Sequence, residues 1–145
     1  MKIVICCSAD FYKQSNEIED RLIAMGYETL VPYTSTVMRQ NGDYDVSHYK
    51  TWFDNDHDYD KKAELMNGHF EKIAEGDAIL VLNYEKNGQP NYIGGNVLME
   101  MAIAFYLKKP IYILNEIPEQ SKFLEEIKGM GAVPLLGHLE KLPGA

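Results

Sequence analysis

Asp77-Ala-Ile-Leu-Val-Leu-Asn83, the turn-rich Tyr84 to Gly95, Asn96-Val-Leu-Met-Glu100-Met-Ala-Ile-Ala-Phe-Tyr-Leu107 and then Lys108-Lys109-Pro110-Ile-Tyr-Ile-Leu114 form the stretch that decides the fold. Two short apolar runs flank a longer one of helical length, which reads as strand, helix, strand. Because the short runs do not alternate, they are buried on both faces, as in a parallel sheet. Asn87-Gly88, Pro90 and Gly94-Gly95 are loop chemistry, and Asn96 is placed to cap the helix. Lys108 and Lys109 suit the helix C-terminal dipole, and Pro110 stops it.

Outward from there the pattern repeats. Lys2-Ile-Val-Ile-Cys-Cys7 reads as a first strand, and Asn16 with Glu19 resembles a capping box for a helix carrying Ile18, Leu22, Ile23 and Met25. Gly26 stops that helix, and Glu28 to Tyr33 is a second strand. From Lys61, Ala63, Met66, Phe70, Ile73 and Ala74 recur at helical steps up to Gly76. Pro118 opens a last helix with Phe123, Leu124 and Ile127, and Ala132 to Leu136 make a fifth strand. Between Thr34 and Asp60 no period is sustained. Strict alternation predicts an α/β fold: a three-layer α/β/α sandwich on a five-stranded parallel sheet. In the flavodoxin- or Rossmann-like order 2-1-3-4-5, ligands bind where the order reverses, between the loops Ser8 to Tyr12 and Tyr84 to Asn96.

The 145 residues, 46% hydrophobic and 25% charged, suit one domain over 1–145 with an acidic insert at about 34–60. The net charge of −8 argues against a nucleic-acid polymer or an anionic membrane as partner. Residues 41–60 hold six aspartates and Lys50, a net −5, so the acidity belongs mostly to one segment. A pocket for an anion is therefore expected to rely on the amides of Gly94 to Asn96 rather than on a basic patch. Val97 to Leu107 is too short to span a bilayer, and the N-terminus has no basic leader, so a cytoplasmic protein is expected. Neighbouring Cys6 and Cys7 point to opposite faces of a strand and suit a reducing compartment.

Glu100 is the most informative residue. Its helical neighbours are Asn96, Val97, Ile103 and Ala104, with no cation in helical reach, on a helix that reads as apolar all round and so buried, against the sheet and a second subunit. A lone buried carboxylate is costly unless hydrogen-bonded or neutralised. Either first-turn amides satisfy it structurally, or it does chemistry. Gly94-Gly95-Asn96 ahead of the helix is an anion-accepting shape, although it is neither G-x-G-x-x-G nor a Walker motif.

Asp54-Asn-Asp-His-Asp-Tyr-Asp60 fails as a calcium loop, because Tyr59 and Leu65 stand where Gly and Glu are needed. Trp52, Phe53, Tyr44, Tyr49 and Tyr59 among those aspartates either tack the loop down or stack on a planar ligand. A lone histidine such as His69 is more often structural than chemical. No zinc spacing and no G-x-S-x-G elbow occur, Cys6 and Cys7 read as core, and neither metal nor cofactor is expected.

The ordered pattern His69-x-x-x-Ile73-x-x-x-Asp77-Ala-Ile-Leu-Val, Gly94-Gly-Asn-Val-Leu-Met-Glu100-Met-Ala-Ile-Ala and Lys109-Pro110-Ile-Tyr-Ile-Leu resembles the nucleoside 2-deoxyribosyltransferase superfamily, which includes deoxynucleoside 5′-monophosphate N-glycosidases. The resemblance implies that Glu100 is a nucleophile attacking C1′ of a deoxyribose, with water or a second base resolving the glycosyl-enzyme. It also implies that Ser8, Asp10, Phe11, Asp77, Asn83, Gly94, Gly95 and Asn96 bind substrate. His69 stands where the family has an Asp that assists the departing base, which makes it a candidate proton donor. Gly94 replaces a Ser or Asp that contacts sugar or phosphate.

Three readings follow: an enzyme cleaving or exchanging the N-glycosidic bond of a 2′-deoxynucleoside or its 5′-monophosphate, a non-catalytic nucleotide or nucleoside sensor, and an interaction domain. The first two imply a small-molecule partner and are compatible with a homodimer.

Overall fold

The computed structural model describes residues 1–144. Five strands, β1 (Lys2–Cys7), β2 (Glu28–Leu30), β3 (Ala78–Leu82), β4 (Ile111–Ile113) and β5 (Val133–Pro134), form one sheet in the order β2-β1-β3-β4-β5. Every pairing is parallel, with Ile5 opposite Leu80 and Val81 opposite Ile113. The fold class and strand order expected from the sequence are those observed. Five helices connect the strands: α1 (Tyr12–Ala24), α2 (Tyr33–Asn41), α3 (Tyr59–Glu75), α4 (Gly95–Tyr106) and α5 (Leu124–Gly129).

Side-chain alternation along β1 splits the interior into two cores. Ile3, Ile5 and Cys7 pack with Ile18 and Leu22 of α1 and with Leu139 and Leu142 near the C-terminus. Val4 and Cys6 face the other way, toward Ile73 of α3, Val97 and Met101 of α4 and Ile127 of α5. The two cysteines thus lie on opposite faces, both buried and unbridged. The second core depends on a close approach at Gly76, where a Cβ would sit 2.3 Å from Val4 Cγ2.

Several boundaries differ from the sequence reading. Helix α1 starts at Tyr12, so Asn16 lies inside it rather than capping it. The buried Asn16 amide instead donates to Ser35 O and to the Tyr44 hydroxyl, both at 3.1 Å, and so fastens α2 to α1. Helix α2 arises where no period was visible because only Ser35 and Met38 of its nine residues are buried. Tertiary hydrogen bonds, including Arg39 to Asp20 at 2.7 Å, hold it instead of an apolar stripe. Gly94 takes the N-cap position of α4, which puts Asn96 in the first turn, and the helix after Pro118 begins only at Leu124.

Helix α4 is not buried all round. Val97, Glu100, Met101 and Ala104 face inward, whereas Met99, Phe105 and Tyr106 are exposed, Tyr106 by 83%. Among the described residues no helix is long and apolar enough to cross a membrane.

Candidate active site

At the carboxyl edge of the sheet, β1, α3 and α4 bring three side chains together. Cys6 Sγ lies 3.5 Å from His69 Nε2, which in turn lies 3.8 Å from Glu100 Oε2. Each reaches the spot for a local reason: Cys6 ends the α4-facing row of β1, His69 sits on the inner face of α3, and Glu100 is one turn into α4. His69 and Glu100 are only 6% and 5% exposed.

The carboxyl group is poorly satisfied. Oε2 receives one long contact from Asn96 Nδ2 at 3.5 Å, and Oε1 has no hydrogen-bond partner. Burial pushes the Glu100 pKa up to about 8, opposed by the charge of Lys62 and by contact with Cys6. Burial drives His69 down to about 4, with the Lys72 charge acting in the same direction. The two groups therefore meet at neutral pH as a carboxylic acid and a neutral imidazole rather than as an ion pair. Burial also raises the Cys6 thiol well above its usual value, so it is protonated as well.

Glu100 and His69 border a cavity of about 60 Å³ together with Tyr12, Met38, Trp52 and Lys62. A space of about 580 Å³ over α3 shares Tyr33, Trp52 and His69 with it. On the other side a space of about 130 Å³ shares Tyr12, Lys50, Lys62 and Asn96 with it and is also lined by Ser8 and Lys86. That last space is basic, which corrects the expectation of neutral amides alone. Lys62 Nζ donates to Asn96 Oδ1 at 3.1 Å and lies 5.5 Å from the Trp52 ring centre. Lys86 pairs with Asp10 at 2.6 Å and donates to Ser8 Oγ at 3.2 Å. Among the described residues the Lys50 side chain makes no hydrogen bond or ion pair, while its backbone amide donates to Val46 O at 3.0 Å. Burial first, and then a neighbouring lysine, lowers the pKa of both Lys50 and Lys62.

The expected substrate contacts separate into two groups. Ser8, Gly94, Gly95 and Asn96 line the basic space, and Asp10 reaches it through Lys86. Phe11 is buried edge-on against Tyr84, with ring centres 5.4 Å apart. Asp77 is at the opposite edge of the sheet, accepting from the Lys2 amide at 2.7 Å. Asn83 is fully buried, accepting from the Asn115 amide at 2.9 Å and donating to Glu116 O at 2.7 Å. These last three line none of the spaces described. Conversely, Cys6, Lys50 and Lys62 belong to the site although the sequence did not mark them as such, whereas Tyr12 and Lys86 lie on the two loops expected to hold a ligand and Trp52 was marked as an aromatic able to stack on one. Elsewhere in the acidic segment Tyr49 also lines the cavity at Glu100, Asp45 caps a short turn through the Ser47 amide at 3.0 Å, and His48 pairs with Asp43 at 2.6 Å.

No family profile and no curated protein matches the chain. Among solved structures it is similar to a 2-deoxyribosyltransferase from the psychrotolerant bacterium Bacillus psychrosaccharolyticus, described as a biocatalyst for the synthesis of antiviral and antitumoral nucleosides. The identity is 15% and the TM-score 0.50, over 78% of this chain and 71% of that one. The likeness establishes a shared fold.

Proposed function

We propose that this protein cleaves or exchanges the N-glycosidic bond of a 2′-deoxynucleoside 5′-monophosphate, with Glu100 as nucleophile. The observation that carries the proposal is the Glu100 carboxyl group, buried at the cavity wall with Oε1 unpartnered. A carboxylate held there can bond to C1′ as the C1′–N bond breaks, leaving a glycosyl ester that water or a second base resolves. The proton on Glu100 has an acceptor in His69 Nε2, 3.8 Å away, from which it passes to the departing base. His69 is then a relay and not a resident acid. The structural neighbour, by its name a 2-deoxyribosyltransferase, supports this class of reaction. The lysine-lined space supports a phosphorylated substrate over a free nucleoside, because half-buried ammonium groups favour an anion.

The sensor reading has one observation in its favour: at neutral pH Glu100 is largely protonated, and a carboxylic acid is not a nucleophile. Incubation with the four deoxynucleoside monophosphates, followed by chromatography of released base, separates the two. Base release that disappears in Glu100→Gln is the expected result. Binding by calorimetry without release from the wild-type protein leaves the sensor reading. We place the protein in the cytoplasm, as a homodimer through the exposed apolar stripe of Met99, Ala102, Phe105 and Tyr106 on α4. Sedimentation as a monomer at micromolar concentration removes the dimer.

A further inference from the structure

We infer that Cys6, His69 and Glu100 form a binding site for a zinc-class divalent transition-metal ion. All three are buried and come from three different elements, and their donor atoms lie within 4.8 Å of one another. A zinc ion with bonds of about 2.3 Å to sulfur and about 2.0 Å to nitrogen separates those two ligands by about 3.5 Å at a tetrahedral angle. Cys6 Sγ and His69 Nε2 are 3.5 Å apart as they stand. The edge from His69 Nε2 to Glu100 Oε2, 3.8 Å, needs a contraction of only a few tenths of an ångström.

The donor set selects the ion. One thiolate, one imidazole and one carboxylate suit zinc or its neighbours, whereas calcium and magnesium prefer oxygen alone. Charge balance favours it too: a divalent cation with a thiolate and a carboxylate sums to zero, which removes the penalty that either anion meets when buried alone. The ion also gives the Glu100 carboxyl group the strong partner it lacks. The adjoining cavity of about 60 Å³ has room for water as a fourth ligand. Three protein ligands with an open position describe a reactive metal site and not a closed structural one.

An ion held by Glu100 Oε2 and His69 Nε2 takes the nitrogen that relays the proton and draws charge from the carboxylate, so metal binding shuts the reaction off. This last consequence rests on the proposed function; the binding site itself does not.

The test uses Co²⁺ as a spectroscopic probe on protein stripped with a chelator. One ion per chain is expected, with a thiolate-to-cobalt charge-transfer band that Zn²⁺ displaces. Cys6→Ser should abolish the band and weaken Zn²⁺ binding at least 10-fold, while Cys7→Ser, on the opposite face of β1, leaves both unchanged. The exposed His48, Asp43 and Asp45 group is the competing location. Absence of binding, or binding that survives Cys6→Ser and is lost in His48→Gln, overturns the proposal. Should Cys6→Ser fail to fold, X-ray absorption of the zinc-loaded wild-type protein decides: one sulfur with nitrogen and oxygen ligands is expected, and a shell without sulfur refutes it. Base release is measured separately on the metal-free protein. Its absence defeats the glycosidic reading and leaves the metal site standing.

Discussion

His69 Nε2 faces Glu100 Oε2 across 3.8 Å, with the carboxyl group lifted to about 8 and the imidazole depressed to about 4. In the metal-free protein this inversion makes the pair a single-proton unit between those two values. Activity through a relayed proton needs that singly protonated pair, so kcat/KM should be flat over the neutral range and fall above about pH 8. A rate that instead rises through pH 8 means that Glu100 works only after losing its proton to solvent. The pH profile of base release, taken in the presence of a chelator, distinguishes the two.

The same burial makes Glu100 a source of instability. A carboxyl group whose folded pKa of about 8 exceeds its unfolded value stabilises the fold fully only below the unfolded pKa, and that stability is lost as pH rises toward 8. Glu100→Gln should therefore be more stable than wild type at pH 8, by roughly 2 to 4 kcal/mol. The two proteins should converge near pH 4. Urea unfolding of both across this range checks it, and a difference independent of pH contradicts it.

Lys50 and Lys62 line the basic space without carboxylate partners, Lys62 bonding only to Asn96. Replacing either with Gln should raise KM for a deoxynucleoside monophosphate by roughly 10-fold or more, with a smaller effect on kcat, the size of a lost charge-assisted hydrogen bond. The matching free deoxynucleoside should be handled alike by variant and wild type. Steady-state kinetics on both substrates reads this directly. Equal losses on the two would show that the lysines do not meet a phosphate.

Gly76→Ala should destabilise by about 1 to 3 kcal/mol, because the new methyl group meets Val4 Cγ2 at 2.3 Å in a packed core. The expected readout is a lower urea midpoint at unchanged m-value. An unchanged midpoint would mean that β1 and the turn before β3 shift apart without cost.

The parts of this structure visible in the sequence are those written in one continuous segment. β3, the glycine turn and α4 were legible as a unit, and Glu100 stood out because a charge on an apolar helix is rare. The lysines were not legible: Lys50, Lys62 and Lys86 come from three separate segments, and each looks like an ordinary surface residue until the fold converges them. Cys6 passed for core because the alternation of β1 places it among apolar neighbours and only tertiary packing sets it beside His69. Helix α2 escaped because its hold on the protein is polar, through Asn16 and Arg39. Asn83 had the opposite fate: the family resemblance implies a substrate contact, and it spends its amide on the loop after β4.

The segment 41–60, with its net charge of −5, contributes its one lysine to the pocket wall and leaves Asp54 and Asp56 exposed outside it. Under the proposed function, an incoming phosphorylated ligand meets repulsion at long range and attraction only on arrival. Ionic strength should act on the two stages in opposite senses: added salt screens the outer field and speeds association, while it weakens the final grip of the lysines and speeds departure. The aspartates of this segment are in this sense a kinetic filter, setting how quickly anions arrive, while Lys50 helps to set how tightly they are held.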